Sequence, residues 1–258
     1  MRHILTLSHV SFGFAAANPL LNDLSFEVER GKIYALMGGN GSGKTTLLNI
    51  LSGFIKPQRG SIFFSPSEAS KKVVELKNKA PYMISRYGIS RSFQDLRLIG
   101  GITVKENAIL GSRRHPSRSW YKSLLPERLY QKDLRALRLE VNDIMSHYFL
   151  HSIQDAPADA ISYGQQKLVN LATSAAAGAD LLLLDEPLAG LNPEYKKKII
   201  TLLAAIKQTG KTIIMIEHHT ESVSQLADRI IFLHQGKIQE YDNYTAFSND
   251  PAVLNVYL

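Results

Sequence analysis

The segment MGGNGSGKTT, residues 37–46, constrains this chain more than any other. Gly38, Gly43, Lys44 and Thr45 satisfy G-x-x-x-x-G-K-[ST], a loop that needs a strand before it and a helix after it. Both flanks are present: IYAL (33–36) is a short apolar run, and TTLLNIL (45–51) has helical spacing and is followed by Gly53. Gly38, Gly39, Gly41 and Gly43 permit backbone angles that turn successive N–H groups inward, and the helix end adds partial positive charge. Such a loop holds phosphates. Lys44 is expected to reach the β and γ phosphates of a nucleoside triphosphate. Thr45 is expected to offer its hydroxyl to Mg²⁺, a hard cation that prefers oxygen. Asn40, Ser42 and Thr46 complete the candidate binding set.

The other half of such a site is a strand ending in a carboxylate, and LLLLDEP (181–187) supplies two. Asp185 is placed to hold Mg²⁺, directly or through water, and Glu186 to polarise the attacking water as general base. LLLL and TIIMI (212–216) are short, fully apolar runs, as buried parallel strands require. The helix expected between them begins near Pro193, carries Ile199, Ile200, Leu203 and Ile206 on one side and stops at Gly210. A complete strand-helix-strand unit makes the fold class α/β. Upstream, residues 20–36 read as two strands around a turn at 29–32. Between Val104 and His151 the pattern becomes helical, with Leu129, Leu134, Leu137, Leu139, Val141 and Ile144 near helical spacing, and reads as an insertion.

Composition narrows the function classes. The 258 residues show no internal repeat, so one functional unit is expected. Zero cysteines exclude disulfides, thiolate metal sites and thiol catalysis, and fit a reducing compartment. The start MRHILTLSHVSF imitates a signal peptide, but Thr6, Ser8, His9 and Ser11 break its apolar run, and extended chain is the better reading. No run of 18 apolar residues is available to span a membrane. The net charge of +7 favours anionic neighbours. Its most concentrated stretch, RRHPSRSWYK (113–122), reads as a solvated loop.

Five stretches then stand in order: SRSFQ (90–94), ISYGQQ (161–166), LLLLDEP (181–187), LAGLNP (188–193) and IEHH (216–219). Together with the glycine-rich loop they resemble the ATP-binding subunits of ABC transporters, over nearly the whole chain. APYMISRYGISRSFQ, SYGQQ, LAGLNP and the final DPAVLNVYL resemble most the branched-chain amino acid importer group, with urea-type importers and the lipopolysaccharide export ATPase as near relatives. The resemblance implies a P-loop ATPase fold with a RecA-like core and an antiparallel β subdomain (about 1–95 and 178–258), and a helical subdomain (about 96–177). It implies ATP and Mg²⁺ as ligands, and Thr45, Gln94 and Asp185 around the metal. Gln94 becomes the glutamine linking Mg²⁺ or water to the membrane partner, and His218 the histidine contacting the γ-phosphate. Phe14 is implied to stack on adenine, with Phe12 as rival. The implied partners are a second ATP-binding subunit, identical or paralogous, transmembrane permease subunits and, for an importer, a substrate-binding protein. The implied location is the cytoplasmic face of the membrane.

ISYGQQK contains no nucleophile, carboxylate or evident metal ligand. Ser162-Tyr163-Gly164-Gln165 does form the capping-box pattern S-x-x-Q, which opens a helix with free N–H groups and a positive end, a second anion site. The resemblance implies that it serves the ATP held by the opposing subunit. Departures from the family pattern are Ile161 and Tyr163 in the signature, Thr173 where arginine is usual, His219 where aspartate is usual, and Gly100-Gly101. A soluble ABC-type ATPase acting on nucleic acid is the rival reading, kept alive by the basic charge. It is disfavoured because the chain has neither two cassettes nor long coiled coils, so no nucleic-acid partner is expected. A GTPase switch lacks its base-specifying N-K-x-D, since Asn78-Lys79 is followed by Ala80-Pro81.

Overall fold

The computed structural model describes residues 2–15, 19–66, 73–92, 96–112, 127–129 and 131–257. They form two compact units. The first comprises Met1–Arg91, Asp180–Ala189 and Ile200–Leu258, and the second Ser92–Ala179 and Gly190–Ile199.

The first unit opens with β1 (His3–Phe12), β2 (Leu21–Glu29), β3 (Ile33–Met37), α1 (Lys44–Leu51), β4 (Arg59–Phe64), β5 (Val74–Glu75), α2 (Pro81–Tyr87) and β6 (Ile89–Arg91). The signal-peptide-like start is therefore a strand, paired antiparallel on one side with β2 and on the other with β4. β2 buries Leu21, Leu24, Phe26 and Val28 and turns Asp23, Ser25 and Glu27 outward, the period of a sheet with one face in water. The four-stranded sheet has the order β2-β1-β4-β5. Although β2 and β3 flank one turn, as the sequence suggests, they enter different sheets.

The second unit contains α3 (Val104–Gly111), α4 (Gln131–His147) and α5 (Tyr163–Ala176). α3 begins in a capping box: Thr103 Oγ1 accepts from Glu106 N at 3.1 Å, and Glu106 Oε2 accepts from Thr103 N at 2.8 Å. α4 buries Leu137, Val141 and Met145, whereas Leu129 and Leu139 are exposed. The stripe follows i, i+4, i+8, so Leu139 falls on the opposite face, and Leu129 lies in the 3₁₀ turn before the helix.

The chain then returns to the first unit with β7 (Leu181–Asp185), α6 (Pro193–Gln208), β8 (Thr212–Ile216), α7 (Thr220–Leu226), β9 (Arg229–His234), β10 (Lys237–Tyr241), α8 (Tyr244–Ser248) and α9 (Pro251–Tyr257). The first turns of α6, through Ile199, cluster with the second unit. The six-stranded sheet runs β10-β9-β3-β8-β7-β6, parallel except for β10 at its edge. Every residue of β3, β7 and β8 is buried, which is why these strands read as unbroken apolar runs. Alternate β3 side chains serve two cores. Tyr34 and Leu36 join Leu47, Leu48, Leu51 and the antiparallel sheet, while Ala35 and Met37 join Val223, Phe232, Phe247 and Val253.

Candidate functional site

β3 stops at Met37 and α1 starts at Lys44, so the glycine-rich loop lies between strand and helix, as its motif demands. Gly38, Gly41 and Gly43 have φ of 150°, 75° and 103°. At Gly38 space matters as much as angle: a Cβ there would lie 2.2 Å from the Leu233 carbonyl oxygen of β9. Lys44 is buried, and its Nζ donates to the carbonyls of Gly38 at 2.8 Å and Gly39 at 2.9 Å. Burial lowers its pKa, while the nearby charges of Glu186 and Asp185 raise it. The Ser42 hydroxyl is buried with no hydrogen-bond partner among the described residues. A cradle with a buried ammonium and an orphaned hydroxyl suits an oxyanion. Asn40 and Thr45 are exposed and Thr46 half-buried, at the loop tip and in the first turn of α1.

Asp185 ends β7 opposite Ile216 of β8 and is almost wholly buried. Glu186 follows at φ 49°, a left-handed conformation that costs a non-glycine residue on the order of 1–3 kcal/mol. Its N–H donates to the Ile216 carbonyl at 3.1 Å, and its Oε1 lies 3.4 Å from His218 Nε2. Glu186 and His218 thus meet across the ends of β7 and β8, in the same unit as the glycine loop. Parallel sheets collect ligands at the carboxyl ends of their strands.

Two charged residues in the quoted motifs had no role assigned from sequence. Arg91, at the end of β6, has a side chain only 5% exposed, with Nη2 3.4 Å from Asp185 Oδ2. Glu217 is 1% exposed and accepts from the N–H of Leu188 at 2.9 Å and of His218 at 3.2 Å. It therefore fixes chain on both sides of the Glu186–His218 pair. The legible signal in each case was a charge at the end of an apolar strand, where burial demands partners.

Gln94 lies outside the described residues, as does the basic stretch 113–122. Phe12 is half-buried against the core, whereas Phe14 is 79% exposed, its ring edge-on to Phe12 at 5.0 Å. The Asp185 carboxylate and the Thr45 hydroxyl each offer oxygen, the donor type that Mg²⁺ prefers. Among the described residues no cluster of three or more acidic or histidine ligands exists, and Mg²⁺ characteristically takes one or two carboxylates together with substrate phosphates.

In the second unit Ser162 is the N-cap of α5. Its hydroxyl accepts from Gln165 N at 3.4 Å, and Gln165 Oε1 accepts from Ser162 N at 2.8 Å, closing the capping box. The first turn of α5 has no acidic residue to neutralise the helix end, and Ser162 and Tyr163 face outward. Two tyrosines brace this end. Tyr195 covers Gly164, where a Cβ would lie 2.6 Å from the ring. Tyr163 covers Gly190, where a Cβ would lie 3.2 Å from it.

The sequence model of the ABC transporter family matches residues 21–189. A probable branched-chain amino acid transport ATP-binding protein, LivG, of Archaeoglobus fulgidus is 31% identical over 92% of this chain and 89% of its own length. The high-affinity branched-chain amino acid transport ATP-binding protein BraF of Pseudomonas aeruginosa is 28% identical over 100% of this chain and 98% of its own. Among solved structures, a nucleotide-free ATP-binding cassette from an ABC transporter superposes with a TM-score of 0.82 at 28% identity, covering 99% of both chains. The ADP conformation of an ATP-binding cassette gives 0.81 at 27% identity, covering 100% of this chain and 99% of that one.

Proposed function

The chain belongs to the ABC transporter family, as an ATP-binding subunit whose ATP hydrolysis is coupled to transport, and from this premise we propose that it powers uptake of branched-chain amino acids or a related small solute. The names of its relatives and the SYGQQ and LAGLNP wording support that substrate class. The observation that carries the reaction is the Glu186–His218 pair, in the same unit as a glycine cradle whose lysine senses the charge of Glu186.

Lys44 and the loop N–H groups of residues 38–46 hold the phosphates, and Phe14, more exposed than Phe12, stacks on the base. Glu186 accepts a proton from the attacking water as its oxygen bonds to the γ-phosphorus and the bond to the bridging oxygen breaks, releasing ADP and phosphate. His218 orients Glu186 and the γ-phosphate. Asp185, Thr45 and Gln94 would hold Mg²⁺, which when bound would supply positive charge against the phosphates. The Ser162–Gln165 signature closes over ATP held by a second ATP-binding subunit, so two ATPs are buried in the dimer. Leu96, Leu98 and Ile99 form the surface for the permease subunits; Ile99 is 55% exposed. Among the described residues no helix is long and apolar enough to cross a membrane. The likeness to transport ATP-binding proteins supports a peripheral place on the cytoplasmic face.

Replacing Glu186 by Gln tests this reading, because the amide keeps the shape but accepts no proton. ATP affinity should persist while hydrolysis falls about 10²–10⁴-fold, with ATP-dependent dimers appearing in sedimentation. Unimpaired turnover would remove Glu186 from its role. Uptake of labelled leucine, isoleucine and valine by vesicles carrying the permease partners should stop with the same variant. Vesicles in which the parent protein drives no such uptake would reject branched-chain amino acids as the solute.

A further inference from the structure

Arg91 reaches further than its ion pair with Asp185. Its Nη1 donates to Asn49 Oδ1 at 2.5 Å and to Ser52 Oγ at 3.0 Å, while Nη2 faces Asp185 Oδ2 at 3.4 Å. Asn49 lies in α1 and Ser52 caps its end, and the same helix begins with Lys44 and Thr45. One buried side chain therefore spans from the carboxylate ending β7 to the helix carrying the phosphate lysine. A guanidinium is rigid and planar with five donors in fixed directions, so bonds at both nitrogens set orientation as well as distance. Lysine, a flexible point charge, cannot reproduce that.

Resting on the reading of Asp185 and Thr45 as metal ligands, we infer that Arg91 is a positioning residue that locks Asp185 to α1, so that this carboxylate and the Thr45 hydroxyl close on one divalent cation. Groups that orient a metal ligand from behind characteristically change metal affinity about 10–100-fold when removed. A purely architectural brace would act differently, weakening the fold and every nucleotide interaction together.

The two are separated by titrating a fluorescent N-methylanthraniloyl ATP against the full-length protein in chelator and again in Mg²⁺, with thermal melting of each variant. For Arg91→Met, affinity in chelator should stay within about twofold of the parent while the enhancement by Mg²⁺ falls about tenfold or more. Arg91→Lys should recover less than half of that loss. A second variant, Asn49→Leu with Ser52→Ala, keeps the buried ion pair and cuts only the link to α1. It carries the test if Arg91→Met does not fold, and it should lose the Mg²⁺ enhancement in the same way. An Mg²⁺ enhancement at the parent level in a folded variant would overturn the inference. A parent protein with no Mg²⁺ enhancement would overturn the metal reading itself.

Discussion

Single residues in this site are set by burial. Lys44 has its pKa lowered by desolvation, only partly offset by the Glu186 and Asp185 charges, so its ammonium loses its proton below the ordinary 10.5. A depressed lysine is charged below its folded pKa and neutral above it. Nucleotide affinity that depends on that charge should be full at neutral pH and decline as pH rises toward 10.5, earlier than an exposed lysine would produce. Fluorescent nucleotide titrations from neutral to alkaline pH read this directly. Lys44→Ala should bind about 2 kcal/mol more weakly at neutral pH, the worth of a charge-assisted hydrogen bond, and its affinity should lose the alkaline decline. Parent-level affinity in that variant would refute the phosphate cradle. Glu217 makes a second case. Truncation to alanine leaves the Leu188 N–H, which it receives at 2.9 Å, without its acceptor, costing about 1–3 kcal/mol. It also loosens the chain around Glu186 and His218. Urea unfolding should show the loss, and the ATPase rate of the folded fraction should fall with it. An unchanged rate would show that the pair is held without Glu217.

At the scale of elements, the sequence was most legible where burial is two-sided or a cap is chemical. LLLL and TIIMI became β7 and β8, paired in parallel, and α6 began at Pro193 as its position dictates. The S-x-x-Q pattern became a capping box, since its two bonds are local and need no tertiary partner. Long-range choices were not legible. Nothing in residues 20–36 says that β2 and β3 part into separate sheets, because pairing partners lie far along the chain. The α4 stripe was blurred because Leu139 is apolar yet solvent-facing, and apolar residues outside are common. One departure from the family pattern has a steric account. Gly111, the last residue of α3, lies so close to α5 that a Cβ would be 2.4 Å from Thr173 Cγ2 and 3.0 Å from its carbonyl oxygen. A residue as bulky as arginine at 173 would meet α3 there. Gly111→Ala should therefore destabilise by about 1–3 kcal/mol through overpacking, read as a lowered urea midpoint at unchanged slope. An unchanged midpoint would mean that the helices separate freely.

For the whole molecule, the central expectation is that each ATP is shared by two subunits. Ser162→Arg places a bulky cation at the exposed start of α5 and breaks its capping box, while the glycine loop in the other unit keeps its own residues. Both Ser162→Arg and Lys44→Ala homodimers should be inactive. Mixing them gives one composite site with both lesions and one with neither, so ATPase activity should reappear. Mixed dimers as inactive as either parent would count against sharing, as would a fully active Ser162→Arg homodimer. The strand that launches the glycine loop has a consequence of another kind. β3 is flanked by β8 and β9, with Ile33 paired to Ile213 and Met37 to Phe232, partners far along the sequence. During synthesis the loop thus leaves the ribosome well before its walls, which are complete only once residue 234 has followed. Contacts of such separation close slowly, and until they do the apolar run IYALM has no sheet to enter. The nascent chain therefore carries its nucleotide motif unformed until β8 and β9 have followed it.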